Sequence, residues 1–430
     1  IGDLMSLIIP ANTLASGGFS VGNSVRFNRG DSPYLSKTFS TDGTHHDKGT
    51  ISMWVKKSCT GVETGLYHAG TSSRDFLRFE SNDTLTFRNT SGHHLNTNRV
   101  FRDVSAFYNI VLAFDSSQGT ASNRVKIYVN GVQETSFATE TYPSQNRDMK
   151  MMAAELQRIS SDSEGGAAPF MDGYLSEIVG IDGQQLTPTS FGEFDEDSGI
   201  FKPIDVSGLT FGTNGFYLNM ASSTELGTDV SGNSNTFAET NLTAIDQSTD
   251  TCTNNFATLN SLENFYPAAT ISEGNLKAVT VTAKYTFLRS SIGVSSGKWY
   301  METKCTAQSG STNKWTFGIT DHASTGTQNY IGQNSYSYGW RGDANSIFYN
   351  GTSANYGSGA MATGNIIGMA LDLDNNKIYW SINGTWKNSG DPAGNSNGFS
   401  ITAPASTNTG YYHFAFGDID GDQNFTYETN

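Results

Sequence analysis

The chain has 430 residues, 46 of them Gly, with 16% charged and 12% aromatic side chains and a formal net charge of −15. At roughly 100 to 200 residues per domain this leaves room for two domains or three small ones, and the scarcity of stretches rich in Ala, Leu, Glu, Lys and Arg excludes a helical bundle. The acidic balance repels a phosphate backbone, so no nucleic-acid partner is expected, and apolar runs such as Ile110–Phe114 fall far short of the roughly 20 residues that span a bilayer, so no membrane insertion is expected.

The opening residues 1–21 place Leu4, Leu7, Ile8, Ile9 and Leu14 in no strand period, which predicts an arm that docks on another subunit or particle. Asp3 stands where an export signal needs basic residues, so no removable signal is expected. Further on, apolar and polar residues alternate at period two in Ile51–Val55, Phe76–Phe79, Thr84–Phe87 and Val125–Val129, the pattern of half-buried strands. In the last of these Val125, Ile127 and Val129 share one face, and Lys126 and Tyr128 the other, which is predicted to be wet.

One pattern occurs twice. Ile110–Asp115 is followed after a polar loop by Val125–Val129 and Asn130-Gly131; Ile366–Asp372 is followed by Lys377–Ile382 and Asn383-Gly384. Asn-Gly accepts the positive φ angles of a tight hairpin, so both copies are predicted to reverse sharply there. Two copies of one strand unit predict two related sandwiches. Between them, from about Met220 to Asn260, alternation is lost, and Leu226, Phe237, Leu242 and Phe256 are spaced as anchors that dock an irregular connection. Cys59, Cys252 and Cys305 are odd in number and far apart, which fits neither a disulfide framework nor a metal cluster.

The residues Ser24–Phe27, Gly49–Lys56, Phe107–Phe114, Val125–Gly131 and Phe170–Ile178 resemble, in order and spacing, laminin-G-like domains of the concanavalin A type. In the second half Ser296–Glu302, Trp315–Ile319, Tyr338–Trp340, Gly364–Asp372 and the hairpin Lys377–Gly384 resemble a SPRY domain. The fold expected from the two resemblances is all-β, two tandem antiparallel jelly-roll sandwiches joined by a long irregular connection. Its divisions are a docking arm over 1–21, a first sandwich with a C-terminal extension over 22–215, a linker over 216–265 and a second sandwich over 266–430. The last segment, Phe425–Asn430, stops one core strand short of the usual SPRY pattern, which implies a longer chain or an edge completed by a neighbour. The tandem order, with Pro10–Ala15 and Gly183–Pro188, is similar to proteins of marine bacteriophages. That resemblance implies a fibre, tail or other virion-surface component, with other virion structural proteins and a host-surface glycan as partners and a homo-oligomer, a trimer by preference, as its assembly.

No catalytic residue is expected. Glu193, Asp195 and Asp197 alternate as the paired carboxylates of a glucanase do, but Gly192, Gly199, Pro188 and Pro203 bracket them outside the strands, so they are predicted to be a solvated acidic connection. The candidate ligand-facing cluster is Tyr336, Tyr338, Trp340, Arg341, Asp343, Tyr349 and Tyr356, because aromatic rings beside hydrogen-bonding groups stack on sugars or anchor a protein partner; the shared parity of Tyr336, Tyr338 and Trp340 also suits packing. Arg341-Gly342-Asp343 matches an integrin tripeptide but reads as a chance turn. Asp418, Asp420, Asp422 and Asn424 set oxygens at alternate positions, as calcium loops do, and calcium is the one cofactor these residues suggest; a hairpin tip is the plain alternative. The expected function is a non-enzymatic virion-surface adhesion protein. The rivals are a capsid decoration protein and a secreted polysaccharide hydrolase or its sugar-binding module.

Overall fold

The computed structural model describes residues 18–90, 92, 94–162, 169–264, 268–281, 285–310, 313–322, 330–357, 360–419 and 425–429. Every regular element among them is a strand or a short 3-10 turn. The chain divides into two units, one ending at Phe256 and one beginning at Ala257. Most of the expected docking arm lies outside the described residues.

In the first unit two eight-stranded antiparallel sheets face each other. One runs Val132–Gln133, Val125–Val129, Tyr108–Asp115, Lys48–Lys57, Gly173–Asp182, Ser24–Phe27, Gln247–Ser248, with Phe216–Leu218 also paired to Gly173–Asp182. The other runs Phe137–Thr141, His94–Val100, Thr84–Asn89, Asp75–Phe79, Thr64–Ala69, Leu156–Ile159, Tyr34–Thr38, Ala238–Thr240. Period two sends Ile51, Met53, Val55, Leu112, Phe114 and Ile127 of the first sheet against Leu35, Tyr67, Leu77, Leu85 and Phe87 of the second, which makes one core.

The outer face of the first sheet is not wet. Val111, Tyr128, Val179 and Ile181 pack under Phe191, Val206, Phe211 and Tyr217, and Trp54, Phe107 and Tyr174 pack with Val21, Phe201 and Cys252. The predicted wet side of Val125–Val129 is therefore dry at Tyr128, because the chain after the closing strand folds back over it. The linker expected over 216–265 is likewise no linker up to Phe256. Phe216–Leu218, Ala238–Thr240 and Gln247–Ser248 add strands to the two sheets, and Leu226, Phe237 and Leu242 enter the core as the anchors their spacing suggested. The polar residues between them hide this in the sequence because they close turns: Asp229 accepts from the backbone N–H groups of Tyr217, Ser231 and Asn235.

In the second unit an eight-stranded sheet runs Thr270–Ser272, Lys277–Val279, Phe425–Thr429, Lys298–Gln308, Ile366–Asp372, Lys377–Ile382, Thr385–Trp386, with Phe399–Ser400 also on Lys377–Ile382. It faces a six-stranded sheet of Phe287–Arg289, His413–Asp418, Trp315–Thr320, Ser337–Arg341, Ser346–Tyr349 and Thr352–Asn355. Trp315, Phe317, Trp340, Trp380, Phe414 and Tyr427 fill the space between. Phe425–Thr429, expected to leave an open edge, is hydrogen-bonded to a strand on each side. Both Asn-Gly turns are two-residue hairpin loops with positive φ, +48° and +80° at Asn130 and Gly131, +47° and +77° at Asn383 and Gly384.

Candidate functional site

Ion pairing and burial dispose of most chemistry-bearing groups as structural. Glu193 and Phe194 lie on a small hairpin, Gly192–Phe194 with Phe201–Pro203, apart from the large sheets. There Asp195 accepts from the Ser198 N–H and hydroxyl, which hold its carboxyl below the usual range, and Lys202 lies 3.3 Å from both Glu193 and Asp195. Asp195 closes the turn and is itself buried, and Glu193 lies in a strand, whereas all three acids were expected in a solvated connection outside the strands; Glu193 and Asp197 are exposed.

The predicted aromatic cluster in the second unit is split by the pleat. Tyr338, Trp340 and Tyr356 are buried in the core, Trp340 at 0% exposure, and are not available to a ligand: they are corrected to packing residues. Tyr349 is half-buried, stacked on Tyr338 at 6.4 Å, and Tyr336 packs beside the core. Asp343 is exposed and takes the Arg341 guanidinium (Nη2–Oδ2 2.7 Å), so the charges of the tripeptide neutralise each other. Arg341 also lies over the ring of Phe348, 5.3 Å from its centroid, on the face opposite Tyr338. Phe348 meets Tyr330 edge-on at 6.0 Å, and Tyr330 meets Tyr285 at 5.8 Å. These half-buried rings form an aromatic patch that the sequence reading missed. Of the proposed calcium ligands, Asp418 is fully buried at the end of its strand, and Asp420, Asp422 and Asn424 lie outside the described residues. No group of three potential metal-ligating His, Cys, Asp or Glu side chains occurs among the described residues.

The most chemically equipped surface is one the sequence reading did not assemble. On the second sheet of the first unit, Ser36, Arg158, His68, Phe76 and Arg88 stand directly across from one another on five neighbouring strands, all on the face away from the core. The Arg158 guanidinium lies over the Tyr34 ring at 4.5 Å and that of Arg78 over Phe76 at 5.3 Å. Arg78 is neutralised by Glu63, Glu80 and Asp162, at 2.8–3.0 Å. Arg74 and Arg88 make no ion pair among the described residues. His68 is fully buried between these groups, and neither ring nitrogen meets hydrogen-bond geometry. Burial, and then the charges of Arg74 and Arg158, bring its pKa down to about 4, with the Gly70 backbone pulling weakly the other way, so the ring is neutral at physiological pH. With His68 and Phe76 buried, what this face offers is the exposed Arg88, the half-buried Arg74 and Arg158 and the half-buried Tyr34 ring, guanidinium donors suited to hydroxyl-rich or anionic ligands. The alternation in Phe76–Phe79 and Thr84–Phe87 was readable, but the register that sets Arg158 beside His68 across 90 residues was not.

A family model described as the concanavalin A-like lectin/glucanases superfamily matches residues 29–189, and the SPRY domain model matches residues 298–391. No curated protein matches. Among solved structures the chain is similar to the SPRY domain of human HERC1 (10% identity over 40% of this chain and 96% of that one, TM-score 0.31). It is also similar to a putative carbohydrate-binding protein from Bacteroides ovatus (14%, 52% and 61%, 0.35) and to a pentraxin from Limulus polyphemus (14%, 40% and 80%, 0.29). The chain thus carries a concanavalin A-like, lectin-type domain followed by a SPRY domain, each built as an antiparallel sandwich.

Proposed function

We propose that this tandem of a concanavalin A-like and a SPRY sandwich is a non-enzymatic adhesion protein on a bacteriophage virion surface, of the tail-fibre or receptor-binding type. It presents the outer face of that second sheet of its first domain, through Arg88 and the partly exposed Arg158 and Ser36, to a host glycan and assembles with neighbouring virion proteins as a homo-oligomer, a trimer by preference. One observation carries this reading: the row Ser36, Arg158, His68, Phe76, Arg88 sets guanidinium groups beside aromatic rings on a rigid sheet, while the opposite sheet's outer face is roofed by the chain's own extension. Sheets hold such groups at fixed spacing, so recognition needs no refolding.

The test is a glycan array probed with the whole protein, with and without a calcium chelator, followed by labelling of intact particles. Binding to discrete glycans and a label on the tail are the expected results. A label on the head with no glycan bound would favour the decoration-protein reading, and turnover of a polysaccharide would overturn the non-enzymatic one.

A further inference from the structure

The strand Lys48–Lys57 turns Thr50, Ser52, Trp54 and Lys56 away from the main core, and Lys56 ends up 1% exposed inside the second apolar layer. Its Nζ lies 5.8 Å from the Phe107 ring centroid and 5.7 Å from that of Tyr174, with Trp54 and Phe201 in the same cluster. Three acceptors converge on it: Asp250 Oδ2 at 2.8 Å, Asn255 Oδ1 at 2.8 Å and the Phe256 carbonyl at 2.7 Å. Asn255 is 0% exposed and Asp250 3%. The Asn255 carboxamide is held in one orientation, because its Nδ2 donates to the Ser105 carbonyl at 2.6 Å while its oxygen faces the lysine. An amine, a carboxamide and a carboxyl group are therefore brought together in the buried interior, across 199 residues of chain.

We propose that Lys56 and Asn255 are a modification site, joined after folding by an intramolecular amide bond between Lys56 Nζ and Asn255 Cγ, with Asp250 as the acid–base group. Asp250 takes a proton from the ammonium, leaving a neutral amine that attacks Cγ. The Nζ–Cγ bond forms, the Cγ–Nδ2 bond breaks, and a proton passed on through Asp250 lets Nδ2 leave as ammonia. No oxidant or co-reactant is required. Burial raises the Asp250 carboxyl above its ordinary value, which suits it to hold that proton in transit. Holding the groups together in a buried pocket supplies the proximity that a free lysine and asparagine lack.

The test is intact mass and fragment mapping of the purified full chain. The expected wild-type chain is one ammonia lighter than its sequence, is uncut at Lys56 by trypsin, and yields a fragment in which Lys56 is bonded to Asn255. Asp250→Asn is expected to keep the full mass in a folded chain; should that variant fail to fold, Lys56→Arg is read instead and keeps the full mass. A wild-type chain of full mass overturns the proposal, as does an ammonia loss that maps to an Asn-Gly step or persists in Lys56→Arg. A cross-link that forms undiminished in Asp250→Asn removes Asp250 from the step.

Discussion

Asn130 and Asn383 hold the same place in two separate sandwiches: the side-chain oxygen of each accepts a backbone N–H at the beginning of the first strand of its hairpin pair, Asn109 at 2.8 Å and Ile366 at 2.9 Å, while its backbone N–H donates to that residue's carbonyl. The echo runs further, because the strand each one caps ends in an Asp whose carboxyl, Asp115 or Asp372, is drawn low by side-chain and backbone donors in the turn after it. The two units share one device for closing a hairpin.

Replacing either Asn by Ala removes both the tolerance of positive φ and the acceptor, and each change is expected to destabilise its own unit by about 1–2 kcal/mol. Replacement by Gly restores the angle alone and is expected to recover about half. Denaturant unfolding that shows Asn130→Gly no better than Asn130→Ala would place the whole effect in the hydrogen bond.

Trp54 and Trp299 are not equivalent. Trp54 is 2% exposed and stacks on Phe201 at 6.1 Å, so Trp54→Ala is expected to cost roughly 3–5 kcal/mol. Trp299 is half-buried beside the core, with its Nε1 donating to the Ser296 carbonyl at 2.6 Å, and its loss is expected to cost about 1–2 kcal/mol. Equal losses in calorimetry would contradict this division.

Glu177 sits at a bulge with φ +48° among Ser52, Trp54, Val179 and Val206, and accepts from the Tyr217 hydroxyl at 2.5 Å. Burial lifts its pKa from 4.5 to about 7. The folded form thus keeps a proton that the unfolded chain has already released, so this contribution to stability is full below pH 4.5, falls as pH rises towards 7, and is flat above that. Glu177→Gln is expected to abolish the dependence, a difference of at most about 3 kcal/mol between the two ends of the window. Parallel pH profiles of wild type and variant would refute the assignment.

Arg88→Ala together with Arg74→Ala is expected to weaken glycan binding about tenfold or more while leaving the melting temperature nearly unchanged, since neither guanidinium has an ion-pair partner among the described residues. A binding constant insensitive to both changes, measured by titration calorimetry, would move the glycan site elsewhere.

Much of the fold was legible because it rests on local periodicity: Ile51, Met53 and Val55 declare a buried face, and Asn-Gly declares a turn. What was not legible depends on register and on chain returning from afar. Tyr336, Tyr338 and Trp340 have the parity of one face, and nothing local says whether that face is the dry one. Lys56 stands out in an apolar strand, yet Asp250 and Asn255, which justify its burial, are about two hundred residues away in a stretch that reads as loop. The glycines and polar residues of 216–256 conceal an integral part of the sandwich, because their side chains close turns rather than mark a strand.

The first described residues and the last residues of the first unit run side by side: Val21 N–H donates to Thr253 Oγ1 at 2.9 Å, the Thr251 hydroxyl donates back to the Val21 carbonyl, and Ser24 reaches the Asp250 carbonyl at 2.6 Å. Because Ser24–Phe27 pairs antiparallel with Gln247–Ser248, the two ends of this unit leave on the same side, and a pull that separates them is met first by this short clasp, which opens by peeling bond after bond. The two hundred and more residues looped between its jaws carry no tension until it parts.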